Sequence, residues 1–313
     1  MAERRLEYNA TLVSREDHTK ELCTFTVRYD DPLDKTPPFL AGQYVAIGLN
    51  NEDAPEKGAV RRSMSIAGAP TDSSVLEFYV RFVNRPESEN PLTHLLWKMK
   101  VGERIFVTRK PVGKFTLEAT IGLDDPRYVL MVAAGTGLAP FVGMVRDAIA
   151  KGDTRRLKKF VLLHGASYPA DICYRSELEK AASDHGLHYF PSVSRIGEAP
   201  EWKENSGRVE DFFLPDRLLE LEKSVGVSPG TFGPAKAAVL ICGLQGTIAK
   251  SIERLAKRGF VPFDRKIRKA LALEADIESS VWWEQYDTTP VIDIADPVVV
   301  DSLRADLENA NAI

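Results

Sequence analysis

Two closely spaced glycines after an apolar run are the residues whose spacing most directly suggests chemistry. Residues 129–134 are all apolar, and Gly135, Thr136 and Gly137 then lead into a helical pattern with Pro140 in its first turn. Glycine lets the backbone approach a ligand closely, and the free N–H groups at a helix start favour a phosphate. Proline is tolerated there because that N–H has no helical partner. The pattern predicts a phosphate-binding turn, while a tight strand-to-helix turn without a ligand stays the alternative.

Two further segments carry residue types that suit a nucleotide. In a strand-like segment, Arg62 is followed by Ser63, Met64 and Ser65, so a cation could meet a phosphate and a hydroxyl group could meet a polar ring atom. Cys242 and Gly243 end another apolar run that leads into a helix. Taken alone, the first segment is more typical of a solvated edge strand, and the second of a buried structural cysteine.

The first 117 residues consist of short apolar segments separated by glycine and proline. Strand-length segments lie at 21–29, 43–49, 75–83 and 103–109, and one helical stretch lies at 93–99. Short strands at regular spacing predict an antiparallel β-barrel or a sandwich.

The pattern changes after a predicted linker at 122–126. Apolar strands at 128–134, 160–164, 187–193 and 237–242 now alternate with helical stretches, of which the clearest are 139–150, 176–185 and 247–258. This alternation predicts an α/β domain with a parallel sheet, in which ligands bind beyond the carboxyl ends of the strands. Near the C-terminus, a helix is predicted to start at Pro297, with Val299, Leu303 and Leu307 on one stripe.

Length, charge and cysteine usage exclude several other classes of protein. The 313 residues suit two domains, and the net charge of −4 gives no reason to expect binding to nucleic acid. Residues 128–145 are uncharged, but Gly135, Gly137 and Pro140 interrupt them, so we expect no membrane helix. The three cysteines are far apart in the sequence, so a reducing, cytoplasmic location is expected. The first ten residues are charged and contain no apolar segment, so no signal peptide is expected. His185 and His188 lack further ligands at suitable spacing, and we expect no metal site.

Together and in this order, the motifs resemble those of the ferredoxin–NADP reductase family. The family's Arg-x-Tyr-Ser flavin motif is similar to Arg62–Ser65, and its Gly-Thr-Gly-x-Ala-Pro motif is similar to residues 135–140. Its Cys-Gly motif matches Cys242 and Gly243, and its Gly-x-Phe turn is similar to residues 112–115. The resemblance spans roughly residues 6–287 and implies an FAD-binding barrel domain (1–121), an NADP-binding α/β domain (127–287) and a C-terminal extension (288–313).

The resemblance also implies roles for individual residues toward FAD. Arg62 would pair with the pyrophosphate, Ser65 would hydrogen-bond near flavin N5, and Tyr286 would stack on the flavin. The implied FAD-binding residues are Arg62, Ser63, Met64, Ser65, Phe78, Tyr79, Val80, Arg81, Pro91, Leu92, Thr93 and Tyr286.

Toward NADP, the resemblance implies that Thr136 and Cys242 lie at the nicotinamide and that Ser194 and Arg195 grip the 2′-phosphate. The implied NADP-binding residues are Gly135, Thr136, Gly137, Pro140, Ser194, Arg195, Arg208, Cys242 and Gly243, and the implied catalytic residues are Ser65, Cys242, Glu284 and Tyr286. An arginine after a strand end also favours a phosphate on physical grounds, whereas a carboxylate there would favour a free ribose hydroxyl group.

Three features depart from the family's pattern. Met64 stands where the family usually has a tyrosine, and Ser167 stands where some bacterial members have an arginine for the 2′-phosphate. The chain also continues beyond Tyr286. Three roles of this extension stay open: it could restrain Tyr286, pack on the adenine end of FAD, or mediate a homodimer. Trp282 and Trp283 are interpreted as core residues.

The resemblance implies an NADPH-dependent reductase that passes single electrons to ferredoxin or flavodoxin. A run of cations could recognise such an acidic carrier, and a solvated face is the alternative explanation. The run consists of Lys98, Lys100, Arg104, Arg109, Lys110 and Lys114, with Glu103 as its one acid. Two other functions stay open: the reductase component of an oxygenase, and a flavin-binding regulatory protein without turnover.

Overall fold

A computed structural model describes residues 5–313, which divide into two compact units by their contacts. The first unit contains residues up to Leu117 together with Ala139–Gly152, and the second contains Glu118–Leu138 and Asp153–Ile313. The limits of the cofactor domains given above stay a prediction. No helix among the described residues is long and apolar enough to cross a membrane.

The first unit is an antiparallel six-stranded sheet. Its strands, in the spatial order β4-β3-β6-β1-β2-β5, are β1 (Ala10–Asp17), β2 (Leu22–Tyr29), β3 (Tyr44–Leu49), β4 (Val60–Ser65), β5 (Val75–Arg81) and β6 (Arg104–Val107). An antiparallel bridge between Ile66 and Phe78 joins the two edges of this order, and the N–H of Ala67 donates to the carbonyl of Glu77 at 2.8 Å. The sheet therefore closes into a barrel around a core that includes Phe25, Ile47 and Phe78.

Helices complete the first unit. α1 (Leu92–Lys98) packs against β3 and β4. The first stretch of the unit ends at Leu117, the first residue of the short α2 (Leu117–Thr120). α3 (Ala139–Ala150) lies so close to the barrel that a Cβ on Gly143 would be 3.1 Å from the carbonyl oxygen of Ile66. Arg146 of α3 forms an ion pair with Glu77 at 2.7 Å. This helix is thus held by close backbone approach and by a charged contact.

The second unit is a parallel sheet with helices. Its strands, in the order β10-β9-β8-β7-β11-β12, are β7 (Tyr128–Ala134), β8 (Phe160–Ala166), β9 (His188–Val193), β10 (Asn205–Ser206), β11 (Ala237–Gly243) and β12 (Val281–Gln285). The helices are α4 (Thr154–Leu157), α5 (Arg175–His185), α6 (Pro215–Val225), α7 (Gln245–Ala256), α8 (Arg265–Ala270) and α9 (Pro297–Asn309). β7, β8 and β11 are almost wholly buried because neighbouring strands flank them and helices cover the sheet.

The extension after Tyr286 belongs to the second unit. Val291, Ile292, Leu303 and Leu307 are buried in the core that β7, β8 and β11 share. Asp296 caps α9 by accepting a hydrogen bond from the N–H of Val298 at 2.9 Å. The extension therefore adds apolar surface to the core of the parallel-sheet unit.

The predicted fold class, an antiparallel barrel followed by a parallel α/β unit, is confirmed. The strand at 128–134 and the helix at 139–150 have the predicted bounds, and the other predicted elements are shifted at one or both ends by one or two residues. β1 was not predicted, although its burial alternates over its first half. The aromatic segment at 281–285 is the edge strand β12, in which Trp282 and Trp283 are half-buried rather than fully in the core.

Candidate functional site

The turn after β7 is shaped by the end of the neighbouring strand β11. Gly135 has φ of +54°, a left-handed conformation that favours glycine. Gly137 lies against backbone, because a Cβ there would be 2.1 Å from the carbonyl oxygen of Cys242. The residues 135–138 form one 3-10 turn before α3 begins at Ala139. Gly137 is therefore required by strand packing, independently of a ligand.

Cys242, the predicted nicotinamide neighbour, is fully buried on β11. Burial raises the pKa of its thiol well above the ordinary value, and the nearby Glu284 carboxylate raises that pKa further. The thiol is therefore neutral at physiological pH, which excludes a thiolate nucleophile. It can serve as a small, polarisable wall of a site.

Tyr286 lies beside the same strand ends. Its N–H donates to the carbonyl of Gly243 at 3.2 Å, and its hydroxyl group lies 3.5 Å from the carbonyl oxygen of Thr136. Glu284 is in register with Cys242 on the neighbouring strand. The structure thus brings Thr136, Cys242, Gly243, Glu284 and Tyr286 together at the carboxyl ends of β7, β11 and β12.

The residues after Tyr286 hold this end of β12 in place. The Asp287 carboxylate accepts a hydrogen bond from the N–H of Gln245, the first residue of α7, at 2.9 Å. The same carboxylate accepts from the side chain of Gln285 and, at 3.2 Å, from the N–H of Thr289. A carboxylate at a helix N-terminus is stabilised by the exposed N–H groups there. The three roles of the extension, as a restraint on Tyr286, in packing on FAD or in dimer formation, stay predictions.

The predicted phosphate cations lie at the other end of the same sheet edge. Ser194 and Arg195 follow β9, and Arg208 follows β10 after Gly207. Ser194 and both arginines are exposed. Neighbouring strands are about 4.8 Å apart, so β10 and β7 are separated by roughly 14 Å. The sheet edge therefore presents cations, then the glycine turn, then the Cys242–Tyr286 group, in the order of the strands.

Sequence reasoning missed the groups that surround Arg195. Its guanidinium donates to the Tyr168 hydroxyl group at 3.0 Å, lies 5.4 Å from the centre of the Tyr168 ring and is 3.4 Å from the Glu198 carboxylate. The Tyr168 hydroxyl group and the Glu198 carboxylate raise the pKa of Arg195. Glu198 stands only three residues after Arg195, and this short spacing could have indicated the ion pair from the sequence.

Arg208 is positioned by a second network. Its N–H donates to the Asp211 carboxylate at 2.7 Å, and Asp211 forms an ion pair with Arg254 at 2.7 Å. The Arg217 guanidinium donates to the carbonyl of Ser206 at 2.5 Å. Gly207 has φ of +99°, so these contacts fix a turn that only glycine adopts readily. Neither Asp211 nor Arg217 was expected from the sequence.

In the first unit, the predicted flavin residues meet where the barrel closes. Arg62 and Ser63 are exposed on β4, Met64 is half-buried, and Ser65 is buried next to the bridge that joins Ile66 to β5. On β5, Phe78, Tyr79 and Val80 are buried, and Arg81 is half-buried and paired with Glu21. Pro91 precedes α1, in which Leu92 and Thr93 are buried, and α1 packs against β4. The three predicted FAD segments therefore lie on adjoining elements.

The charge of the β4 surface suits an anion. The Arg62 guanidinium donates a hydrogen bond to the carbonyl oxygen of Arg61 at 2.7 Å. Within residues 5–313, no carboxylate lies within ion-pair distance of Arg61 or Arg62. Two exposed guanidinium groups without a carboxylate fit a pyrophosphate well.

The basic run predicted for carrier docking is partly neutralised. Lys98 pairs with Asp53 at 3.0 Å, and Arg104 pairs with Asp30. Arg109 donates to the carbonyls of Asp31 and Pro32 at 2.7 and 2.9 Å. Lys110 and Lys114 are exposed. The positive field of this run is thus weaker than its composition indicates.

Comparison with known proteins shows to which family the chain belongs. The model of the oxidoreductase NAD-binding domain matches residues 131–253. A ferredoxin–NADP reductase of Azotobacter vinelandii is 31% identical over 226 residues, which cover 69% of this chain and 78% of that protein. The chain belongs to the ferredoxin–NADP reductase family. It is an oxidoreductase of that family, and the predicted resemblance is confirmed.

Two further similar proteins extend the comparison. The reductase component of a phenol 2-monooxygenase from a Pseudomonas species is 31% identical over 181 residues, covering 57% of this chain and 46% of that protein. A ferredoxin NADP+ reductase from Neisseria gonorrhoeae, solved with bound FAD and NADP, has a TM-score of 0.69 at 20% identity and covers 89% of this chain and 98% of that one. The solved structure shows that the two share a fold.

Proposed function

We propose that this chain binds FAD on its barrel unit and NADP(H) on its parallel-sheet unit, and that it transfers electrons between NADPH and a one-electron protein carrier, ferredoxin or flavodoxin. The observation that carries the proposal is the row of groups along one sheet edge: the cations after β9 and β10, the turn after β7, and the Cys242–Tyr286 group. Its order suits a dinucleotide lying across the carboxyl ends of the strands.

The barrel unit fits FAD because it offers both charge and apolar surface. Arg62, exposed and with no carboxylate of residues 5–313 within ion-pair distance, would hold the pyrophosphate, with Leu92 and Thr93 on the helix that packs against the same strand. Ser63 and Ser65 offer hydroxyl groups, and Met64 offers apolar contact. FAD, when bound, supplies the exchange between a hydride and single electrons.

The parallel-sheet unit would orient NADP(H) along the row of groups at its edge. Arg195 and Arg208 would bind the 2′-phosphate, while the N–H groups of the turn 135–138 would face the pyrophosphate. Cys242 keeps its proton and contributes an apolar wall. Glu284 and Tyr286 lie next to this wall and would border the nicotinamide.

The proposed flavin can be identified directly. The purified protein is expected to release FAD, not FMN, when denatured, as measured by mass spectrometry. Arg62→Ala removes one charged contact and should weaken FAD binding by roughly 1.5–3 kcal/mol. Lys110→Ala, an exposed cation on the same unit, is the control and should leave the FAD affinity unchanged. FMN as the main released flavin would refute the assignment.

The proposed coenzyme is tested by steady-state kinetics with NADPH and NADH. Two charged contacts of roughly 1.5–3 kcal/mol each predict a preference for NADPH of about a hundredfold or more in kcat/KM before opposing charges act. Arg195→Ala should lower kcat/KM for NADPH about tenfold or more, mainly through KM, with NADH turnover nearly unchanged. Equal loss with both coenzymes would place Arg195 outside the phosphate site.

The similarity to the phenol 2-monooxygenase reductase component favours a second candidate, a reductase for an oxygenase. The partly neutralised basic run is consistent with either partner. Reduction of purified ferredoxin and flavodoxin from the same source, compared with reduction of oxygenase components, separates the two. A yellow protein that NADPH does not bleach would instead support a non-catalytic flavin protein.

A further inference from the structure

A carboxylate lies beside the arginine that is proposed to recognise NADPH. The Arg195 and Glu198 side chains form an ion pair of 3.4 Å and are 57% and 60% exposed. The Tyr168 hydroxyl group accepts from Arg195 at 3.0 Å and donates to Glu198 at 3.1 Å, so it connects the two charges. These three residues form a closed polar cluster at the carboxyl ends of β8 and β9.

The backbone holds Glu198 in this position. Residues 196–198 form a 3-10 turn in which the N–H of Glu198 donates to the carbonyl of Arg195 at 3.0 Å. Directly after it, Ala199 and Trp202 are buried in a small core with Val193. The indole N–H of Trp202 also donates to the carbonyl of Asn205 at 2.8 Å. The turn is thus anchored on both sides, and the carboxylate stays near Arg195.

The charge of Glu198 opposes a phosphate and suits a hydroxyl group. Any anion that Arg195 binds lies within a Debye length of about 8–10 Å from Glu198, so the two negative charges repel each other. The carboxylate and the Tyr168 hydroxyl group both accept from Nη1 of Arg195, so a phosphate would compete with them for that nitrogen. A ribose hydroxyl group, by contrast, can donate a hydrogen bond to a carboxylate.

We propose that Glu198 is a specificity-determining residue that lowers the preference of this reductase for NADPH over NADH. The proposal rests on the proposed function, since it concerns the coenzyme site at Arg195. It predicts that the wild-type preference is smaller than the two arginines alone would give, and that both coenzymes are used. The effect of one exposed carboxylate on a nearby dianion is about threefold to tenfold in affinity at moderate salt.

Glu198→Gln tests the proposal, because glutamine keeps the shape and the hydrogen bond with Tyr168 but loses the charge. Binding of NADP+, NAD+ and 2′-AMP to the holoprotein is measured by titration calorimetry, with kcat/KM for NADPH and NADH alongside. Glu201→Gln is the matched control: Glu201 is exposed on the same loop, and within residues 5–313 it has no ion pair or hydrogen bond.

Glu198→Gln is expected to tighten NADP+ and 2′-AMP about threefold to tenfold, with NAD+ unchanged or weaker and Glu201→Gln within twofold of wild type. Raised salt should shrink this difference. Unchanged or weaker NADP+ binding in Glu198→Gln, while the wild type binds NADP+, would overturn this inference alone. A wild type that binds neither dinucleotide would overturn the proposed function together with it.

Discussion

Replacing Gly137 by alanine tests whether the turn after β7 is fixed by backbone packing. The added Cβ would lie 2.1 Å from the carbonyl oxygen and 2.5 Å from the carbonyl carbon of Cys242. Ordinary contact begins near 3.4 Å, so the turn and the end of β11 must separate by about 1.3 Å, the difference of 3.4 and 2.1 Å. Both partners are backbone within a buried sheet, so no flexible side chain can relieve the clash.

The expected cost follows from these distances. Overpacking a rigid site costs about 1–3 kcal/mol, and the lower entropy of unfolded alanine returns about 0.4–1 kcal/mol. The central values leave a net loss of about 1.3 kcal/mol, which predicts a fall in Tm of roughly 3–5 °C. NADP+ affinity should fall about tenfold or more, because displacing the turn moves its N–H groups away from the phosphate.

Thermal unfolding by circular dichroism and NADP+ titration calorimetry measure the two effects. Gly246→Ala is the control, since a Cβ there meets nothing within 4 Å and the residue lies in helix α7. That variant should keep or raise the Tm, because alanine is favoured over glycine in helices by up to about 1 kcal/mol. A Gly137→Ala protein with the wild-type Tm and NADP+ affinity would refute the packing argument.

Four other perturbations have defined outcomes. Asp287→Asn removes the charged cap of α7 and should cost about 1 kcal/mol in urea unfolding, whereas Asp301→Asn, on exposed α9 surface, should change stability by less than about 0.5 kcal/mol. Burial lowers the pKa of His164 to about 3. Below pH 6.5 the imidazole therefore binds a proton in the unfolded state and not in the folded state, so the free energy of unfolding decreases as the pH is lowered. From pH 6.5 to 5, the free energy of unfolding of His164→Gln, measured in urea, should fall by about 1.6 kcal/mol less than that of the wild type; equal falls would contradict this. Tyr286→Ser removes a ring beside Thr136 that the nicotinamide would have to displace, so titration with NADP+ should show tighter binding. An unchanged affinity for NADP+ would place the nicotinamide elsewhere. Arg217→Met frees the Ser206 carbonyl that positions the Arg208 turn and should raise KM for NADPH about threefold to tenfold with kcat unchanged; a parallel change with NADH would argue for a general structural role.

The periodicity of the sequence determined the two-part architecture. The apolar runs that end in Gly135 and Gly243 are buried strands because unbroken apolar segments suit a parallel sheet covered on both faces. The helix at 139–150 was predicted with its correct bounds because a proline and a following polar loop mark its two ends. These signals are local, so a single sequence contains them.

The neighbours of each functional residue were decided only by the tertiary structure. Gly137 is glycine because the end of β11, over a hundred residues later in the chain, leaves no room for a Cβ. Asp287 caps α7 from 42 residues away, and Ser65 meets β5 only because the barrel closes through Ile66 and Phe78. Strand order sets such contacts, and the hydrophobic pattern does not encode which strands are neighbours.

Arg195 shows the same division between sequence and structure. Its type and its place after an apolar strand indicate a phosphate site from the sequence alone. Whether its charge is available depends on Tyr168 and Glu198, which reach it from the ends of β8 and from the following turn. The sequence therefore determined which residue carries the charge, and the tertiary structure decided how much of that charge a ligand meets, because electrostatic interactions depend on distances in space.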